Sequence, residues 1–171
     1  MSSYSKLIIF IVVLVILSAA IVMIDSSVDN INKSMPEISD AIVDGDKDYN
    51  EAVILVNDKY FQDSMDKAIS AGNNYNDSLK KLEEIKYQYS SDINDVQNEY
   101  LDTVITELEY KLRAVEKLED AIECFEANYN STGTDYASEA NDLIYEATNY
   151  QNQRDTIVKE NPNLFKENFI I

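Results

Sequence analysis

Residues 92–129 read DINDVQNEYLDTVITELEYKLRAVEKLEDAIECFEANY. Leu101, Leu108, Val115, Ile122 and Tyr129 recur every seven residues, and Val104, Leu118 and Phe125 each lie three after a member of that row. An α-helix returns to one face at steps of three and four, so this spacing draws a single apolar stripe along a long helix. Lys111 interrupts the companion row, and its neighbour Leu112 is expected to take its place. The stripe predicts a seam in an intramolecular helical core, or else in a homo-oligomer.

The same periodicity continues on both sides. Before the seam, Pro36 to about Val56 reads as a helix with Ile38, Ile42, Tyr49, Val53 and Val56 on its apolar face and Gly45 in the row. Asn57-Asp58 is the expected turn. A second helix then runs from about Lys59 to Tyr89, facing inward through Met65, Ile69, Gly72, Tyr75, Leu79, Leu82, Ile85 and Tyr89. Ser90-Ser91-Asp92 separates it from the seam. After the seam, Asn130-Ser131-Thr132-Gly133-Thr134 reads as a loop in which Gly133 supplies a positive φ. A last helix follows from about Asp135 to Glu160, with Tyr136, Ala140, Leu143, Ile144, Ala147, Tyr150 and Ile157 inward. Asn161-Pro162-Asn163 stops it, and the apolar tail from Leu164 is expected to fold back.

The first part of the chain is different. Leu7 to Ile24, LIIFIVVLVILSAAIVMI, contains no charge, Pro or Gly. At about 1.5 Å per residue it reaches roughly 27 Å, close to the thickness of a bilayer's hydrocarbon core. It reads as a retained transmembrane anchor. The alternative is a secretory signal cut near Ser18-Ala19-Ala20. Residues 25–35 then form a polar stalk, with Ser34 as a cap and Pro36 in the first turn of the next helix. The expected fold is all-α: residues 1–24 a cytoplasmic stub and transmembrane helix, 25–35 a stalk, and 36–171 an acidic antiparallel bundle of about four helices with coiled-coil-like packing.

The chain has 171 residues, with 32 Asp and Glu against 14 Lys and Arg. Lys6 is the only charged residue before Asp25, so the excess of carboxylates falls entirely on the part after the anchor. Such a charge repels nucleic-acid phosphates and anionic lipid headgroups. It favours cations and basic partners. There is no His and one Cys, Cys124. That composition excludes His-based acid–base chemistry, His-ligated zinc, a Cys–His nucleophile and an intramolecular disulfide. Cys124 lies beside the seam, as a small hydrophobe or as a bridge between two copies. Asp44, Asp46 and Asp48 alternate like the start of a calcium loop, but Tyr49 stands where Gly is required and Leu55 where a bidentate Glu is required. Carboxylate pairs such as Glu83/Glu84 and Glu107/Glu109 converge on no single centre. No catalytic, metal or cofactor-binding residue is therefore assigned.

Three sequons, at Asn32, Asn76 and Asn130, are candidate glycosylation sites and favour an extracytoplasmic bundle. Twelve tyrosines are the unusual resource. Tyr75, Tyr89, Tyr100, Tyr129, Tyr136 and Tyr150 lie on or near the apolar faces, where they can fill a core or line a pocket for a cationic ligand.

Two resemblances follow from these residues. With Ser64, Ala68 and Ala71 at small positions, the hairpin of the first two helices resembles a tetratricopeptide unit, present once. The segments SEANDLIYEATNYQNQRDTIVKENP (138–162), YNEAVILVND (49–58) and NNYNDSLKKL (73–82) resemble those of small N-terminally membrane-anchored helical proteins of methanogenic archaea. That resemblance implies an archaeal cell-surface setting and assigns no functional residue. The sequence thus points to a non-enzymatic interaction or spacer module held at the membrane, with protein partners or a homo-oligomer and no nucleic acid. A sensor-like bundle that binds a small ligand is the alternative.

Overall fold

The computed structural model of the chain describes residues 23–24 and 29–166. These form four long helices: α1 (Asp29–Asn57), α2 (Phe61–Gln88), α3 (Asp95–Glu126) and α4 (Asn130–Glu160). A 3₁₀ turn at Pro162–Leu164 follows α4. Two-residue strands, β1 (Met23–Ile24) and β2 (Phe165–Lys166), pair antiparallel. Of the expected all-α fold, the four packed helices are present among the described residues.

Packing is sequential, α1 on α2, α2 on α3 and α3 on α4. Each pair is antiparallel, as its contacts show: residues late in one helix meet residues early in the next. Ser64 Oγ donates to the Ala52 carbonyl at 2.7 Å, while Lys81 pairs with Glu37 at 2.8 Å. Lys86 pairs with Asp102 across α2 and α3. Lys117 reaches Glu139 at 3.1 Å across α3 and α4. The α1 face expected from periodicity is the buried one, with Ile38, Tyr49, Val53 and Val56 fully enclosed. So is the seam on α3, from Leu101 through Val104, Leu108, Val115, Leu118 and Ile122 to Phe125.

All three glycines sit in helices, and each lies at a different helix–helix contact. A Cβ on Gly45 of α1 would come within 2.7 Å of the Tyr75 ring on α2. One on Gly133 of α4 would come within 2.7 Å of the Phe125 ring on α3, and one on Gly72 of α2 within 3.3 Å of Val115 on α3. Gly133 therefore serves close approach and not a turn, and the expected loop at 130–134 is helical. The actual turn is shorter, at 127–129, and its left-handed residue is Asn128, with φ 63°. Lys59, with φ 67°, does the same between α1 and α2.

Two other boundaries differ from expectation. Helix α1 begins at Asp29, so Pro36 lies inside it and Ser34 is not its cap. Ile31 and Met35 are fully buried, and that burial holds the helix together through the expected stalk. Helix α3 begins after Asn94, whose side chain accepts from the Gln97 N–H while Gln97 accepts from the Asn94 N–H. This reciprocal cap satisfies two otherwise orphaned donors and fixes the start of the helix.

Among the described residues no helix is long and apolar enough to cross a membrane. Residues 7–22 of the expected span lie outside the described residues. Its last two, Met23 and Ile24, are extended rather than helical, because their backbone groups pair with β2. Phe165 of β2 is buried, its ring 4.9 Å from that of Tyr100, so the expected tail folds back at Phe165, and its residues 167–171 lie outside the described residues. The start of α1 and the end of α4 therefore share one end of the molecule with the α2–α3 turn. The α1–α2 and α3–α4 turns lie at the other end.

Candidate functional site: a buried ion cluster across four helices

Asp46 follows Gly45 on α1. Because Gly45 has no side chain, the Tyr75 ring of α2 can lie against α1, and its hydroxyl donates to Asp46 Oδ1 at 2.6 Å. Glu107 and Lys111 stand one turn apart on α3. The Lys111 ammonium lies 2.8 Å from Asp46 Oδ1 and 2.9 Å from Glu107 Oε1. Arg154 of α4 approaches Glu107 Oε2 with Nη1 at 3.1 Å, and its Nε lies 3.4 Å from Asp155. Lys111 Nζ also sits 5.5 Å from the centre of the Tyr75 ring. Asp46, Glu107, Lys111 and Arg154 are each more than nine-tenths enclosed. Two carboxylates and two cations thus meet inside the protein, one pair of charges balancing the other.

Burial alone would push the Lys111 ammonium down; Glu107 and Asp46 outweigh it and hold it above the ordinary lysine range. Burial and then the Asp46 carboxylate push the Tyr75 phenol well above its usual range. A lysine held protonated is neither a nucleophile nor a base. The cluster therefore holds charge in a fixed arrangement. Breaking such a set is costly, because each orphaned charge stays buried. It can be satisfied only when α1, α2, α3 and α4 stand in this register.

The expected substitution of Leu112 for Lys111 in the seam is corrected here: Lys111 itself points inward and Leu112 is half-buried. The sequence signal was an interrupted apolar row with Glu107 one turn before it. Nothing local marked Asp46, Tyr75 or Arg154 as its partners. The alternating aspartates separate on the helix surface. Asp44 is exposed, Asp46 enters the cluster, and Asp48 takes Lys67 at 2.9 Å and the Ser70 hydroxyl at 2.6 Å.

The tyrosines are dispersed. Tyr75 and Tyr100 are core residues, Tyr129 is exposed, and Tyr89 and Tyr136 are half-buried. Tyr150 stacks on Tyr110, with ring centres 5.4 Å apart, and borders an open groove of about 420 Å³ with Asp95, Glu99 and Asp102. Cations of the chain itself lie on three other rings: Lys111 on Tyr75, Arg113 on Tyr110 and Lys117 on Tyr136. The sequons all fall within helices. Asn32 is on α1, Asn130 opens α4 and is exposed, and Asn76 is on α2, where its sequon partner Ser78 is buried and donates to the Asn74 carbonyl at 2.8 Å. Cys124 is half-buried near the end of α3.

Comparison with known proteins returns no family model, no curated protein and no solved structure that matches the chain.

Proposed function

We propose that the protein is a membrane-tethered interaction or spacer module whose helical body stands outside the cell. The observation that carries this reading is the β1–β2 pairing. It sets the end of the apolar stretch, Ile24, beside Phe165, which follows the last helix, at one pole of the body. Helices of 28 to 32 residues then carry the two hairpin turns roughly 45 Å away. A body tied at one pole and presenting two turns at the other is suited to hold or space a partner.

With Met23 and Ile24 paired to β2, the apolar run before them, residues 7–22, supplies the tether, and the acidic surface keeps the body off anionic lipid. The exposed sequon at Asn130 and the archaeal resemblance support an outer-surface setting. The test is membrane fractionation of the full-length protein, followed by capture after solubilisation. Retention through a carbonate wash and recovery of partner proteins in comparable amounts are expected. A shortened chain released freely would overturn the tether, and a chain captured alone would overturn the interaction role.

A further inference from the structure

The turns α1–α2 and α3–α4 are the same structure made twice. The Tyr60 N–H bonds the Leu55 carbonyl at 2.9 Å, and the Tyr129 N–H bonds the Cys124 carbonyl at 2.7 Å. The Ser64 N–H returns to the Tyr60 carbonyl at 2.9 Å, and the Gly133 N–H to the Tyr129 carbonyl at 3.0 Å. Lys59 and Asn128 supply the left-handed residue.

The likeness extends into the helices at one constant offset, that between Tyr60 and Tyr129. Ala52 answers Ala121, Val53 answers Ile122, and Val56 answers Phe125. Beyond the turn, Ser64 answers Gly133, Ala68 answers Ala137, and Ala71 answers Ala140. All twelve of these residues are buried, and packing accounts for their likeness. The outward positions mostly diverge, as Ile54 against Glu123 and Gln62 against Ser131 show.

The tyrosine is an exception. Tyr60 is 60% exposed and Tyr129 is 68% exposed. The hydrogen bonds at that position come from the backbone and need no ring. Both copies keep an aromatic side chain where packing does not demand one, at the pole away from the tether.

We propose that Tyr60 and Tyr129 are paired docking residues for a basic protein partner, each ring receiving a Lys or Arg side chain. Charge selects the partner. Asp58, Asp63 and Asp66 outnumber Lys59 around the first tyrosine, and Glu126 and Asp135 flank the second with no Lys or Arg between them. Two such tips repel each other, which disfavours a second copy, while a cation meets both the ring face and the carboxylates. The proposal rests on the reading of the chain as an interaction module and names the surface that module uses.

The test is amide NMR of the full chain in neutral-detergent micelles, titrated with a hexa-arginine peptide at physiological salt. Shifts should concentrate in residues 57–66 and 126–135. Tyr60→Ala with Tyr129→Ala should weaken binding at least fivefold, and Tyr60→Phe with Tyr129→Phe should restore it, since the ring and not the hydroxyl is required. Tyr87→Ala, an exposed tyrosine at the opposite pole, should change nothing. Shifts spread over the acidic faces of all four helices would overturn the proposal. So would equal losses in the Tyr87 variant, or self-association that the double alanine variant abolishes. These outcomes are independent of membrane retention, so the tip and the tether can fail separately.

Discussion

The two hairpins share a frame and differ in what fills it. At the offset that superposes their turns, Ile38, Ile42 and Ile85 of the first correspond to Glu107, Lys111 and Arg154 of the second. All six are buried. The first hairpin meets the core with isoleucine, and the second meets it with charge, which Asp46 and Tyr75 of the first hairpin complete. Small residues at helix contacts and a three-residue turn are therefore enough to set the hairpin, whatever the polarity of the side chains above them. The charges add a condition that isoleucine cannot impose, because they are satisfied in only one alignment of the helices.

The largest expected effect breaks this contrast at its centre. Lys111→Ile gives the second hairpin the first one's residue, but it leaves Asp46 and Glu107 buried together without their shared cation. The loss should be about 3–5 kcal/mol, measured by urea unfolding. Changing Asp46→Val, Glu107→Ile, Lys111→Ile and Arg154→Ile together in a Tyr75→Phe background, which leaves no orphaned hydroxyl, should return stability to near the parent value or above it, since well-packed apolar groups often replace a buried ion set without loss. A fully apolar variant as unstable as the single one would show that the cluster stabilises the fold and does more than specify it.

The glycines sharpen the comparison next. Gly45→Ala and Gly133→Ala each drive a methyl into an aromatic ring in one of the two hairpins, and each should cost about 1–3 kcal/mol. Gly72→Ala meets only a Val115 methyl at 3.3 Å, between the hairpins. There the gain in helix propensity of about 1 kcal/mol should offset the crowding and leave the melting temperature nearly unchanged.

These same positions show what the sequence could and could not disclose. The apolar faces of α1 and α3 were legible because period 3.6 is imposed by geometry, and Ile38 to Val56 and Leu101 to Phe125 follow it. The turns were not. Asn130-Ser131-Thr132-Gly133 has the composition of a loop, yet Gly133 is there to admit Phe125, and Lys59 in a left-handed conformation has no local signal at all. The repeat was not legible: Ser64, Ala68 and Ala71 stood out only as a single tetratricopeptide-like unit, and their counterparts Gly133, Ala137 and Ala140 were obscured by a misplaced loop. The ion cluster was beyond reach because its members come from all four helices, and only contact in three dimensions joins Asp46 to Lys111 and Arg154.

A smaller effect concerns Tyr49, one turn from Asp46. Its ring is fully buried and its hydroxyl has no hydrogen-bond partner among the described residues. Burial pushes its phenol far above the usual range. Tyr49→Phe removes a desolvated hydroxyl and keeps the ring, so stability should stay level or rise by up to about 1 kcal/mol. A clear loss in the thermal midpoint would show that the hydroxyl is engaged by the cluster.

The smallest effect contrasts the enclosed cluster with a partly open ion pair between α1 and α2. Burial tends to raise the Asp48 carboxyl, but the hydrogen bonds from Lys67 and Ser70 prevail and hold it below the ordinary carboxylate range. A depressed carboxyl binds its proton less readily in the folded protein than in the unfolded chain. Its contribution is thus fully present at neutral pH and is lost as pH falls through its folded value, below the usual range near 4. Lys67 is partly exposed and screened, so the contribution is modest. The difference in urea midpoint between the parent and Asp48→Asn should be small at pH 7, and it should shrink as pH falls towards 3. Acid affects the many other carboxylates of both proteins alike, so the difference isolates this one. A gap that keeps its size at low pH would mean that Asp48 acts through the shape of its hydrogen bonds to Ser70 and Lys67, with its charge contributing nothing.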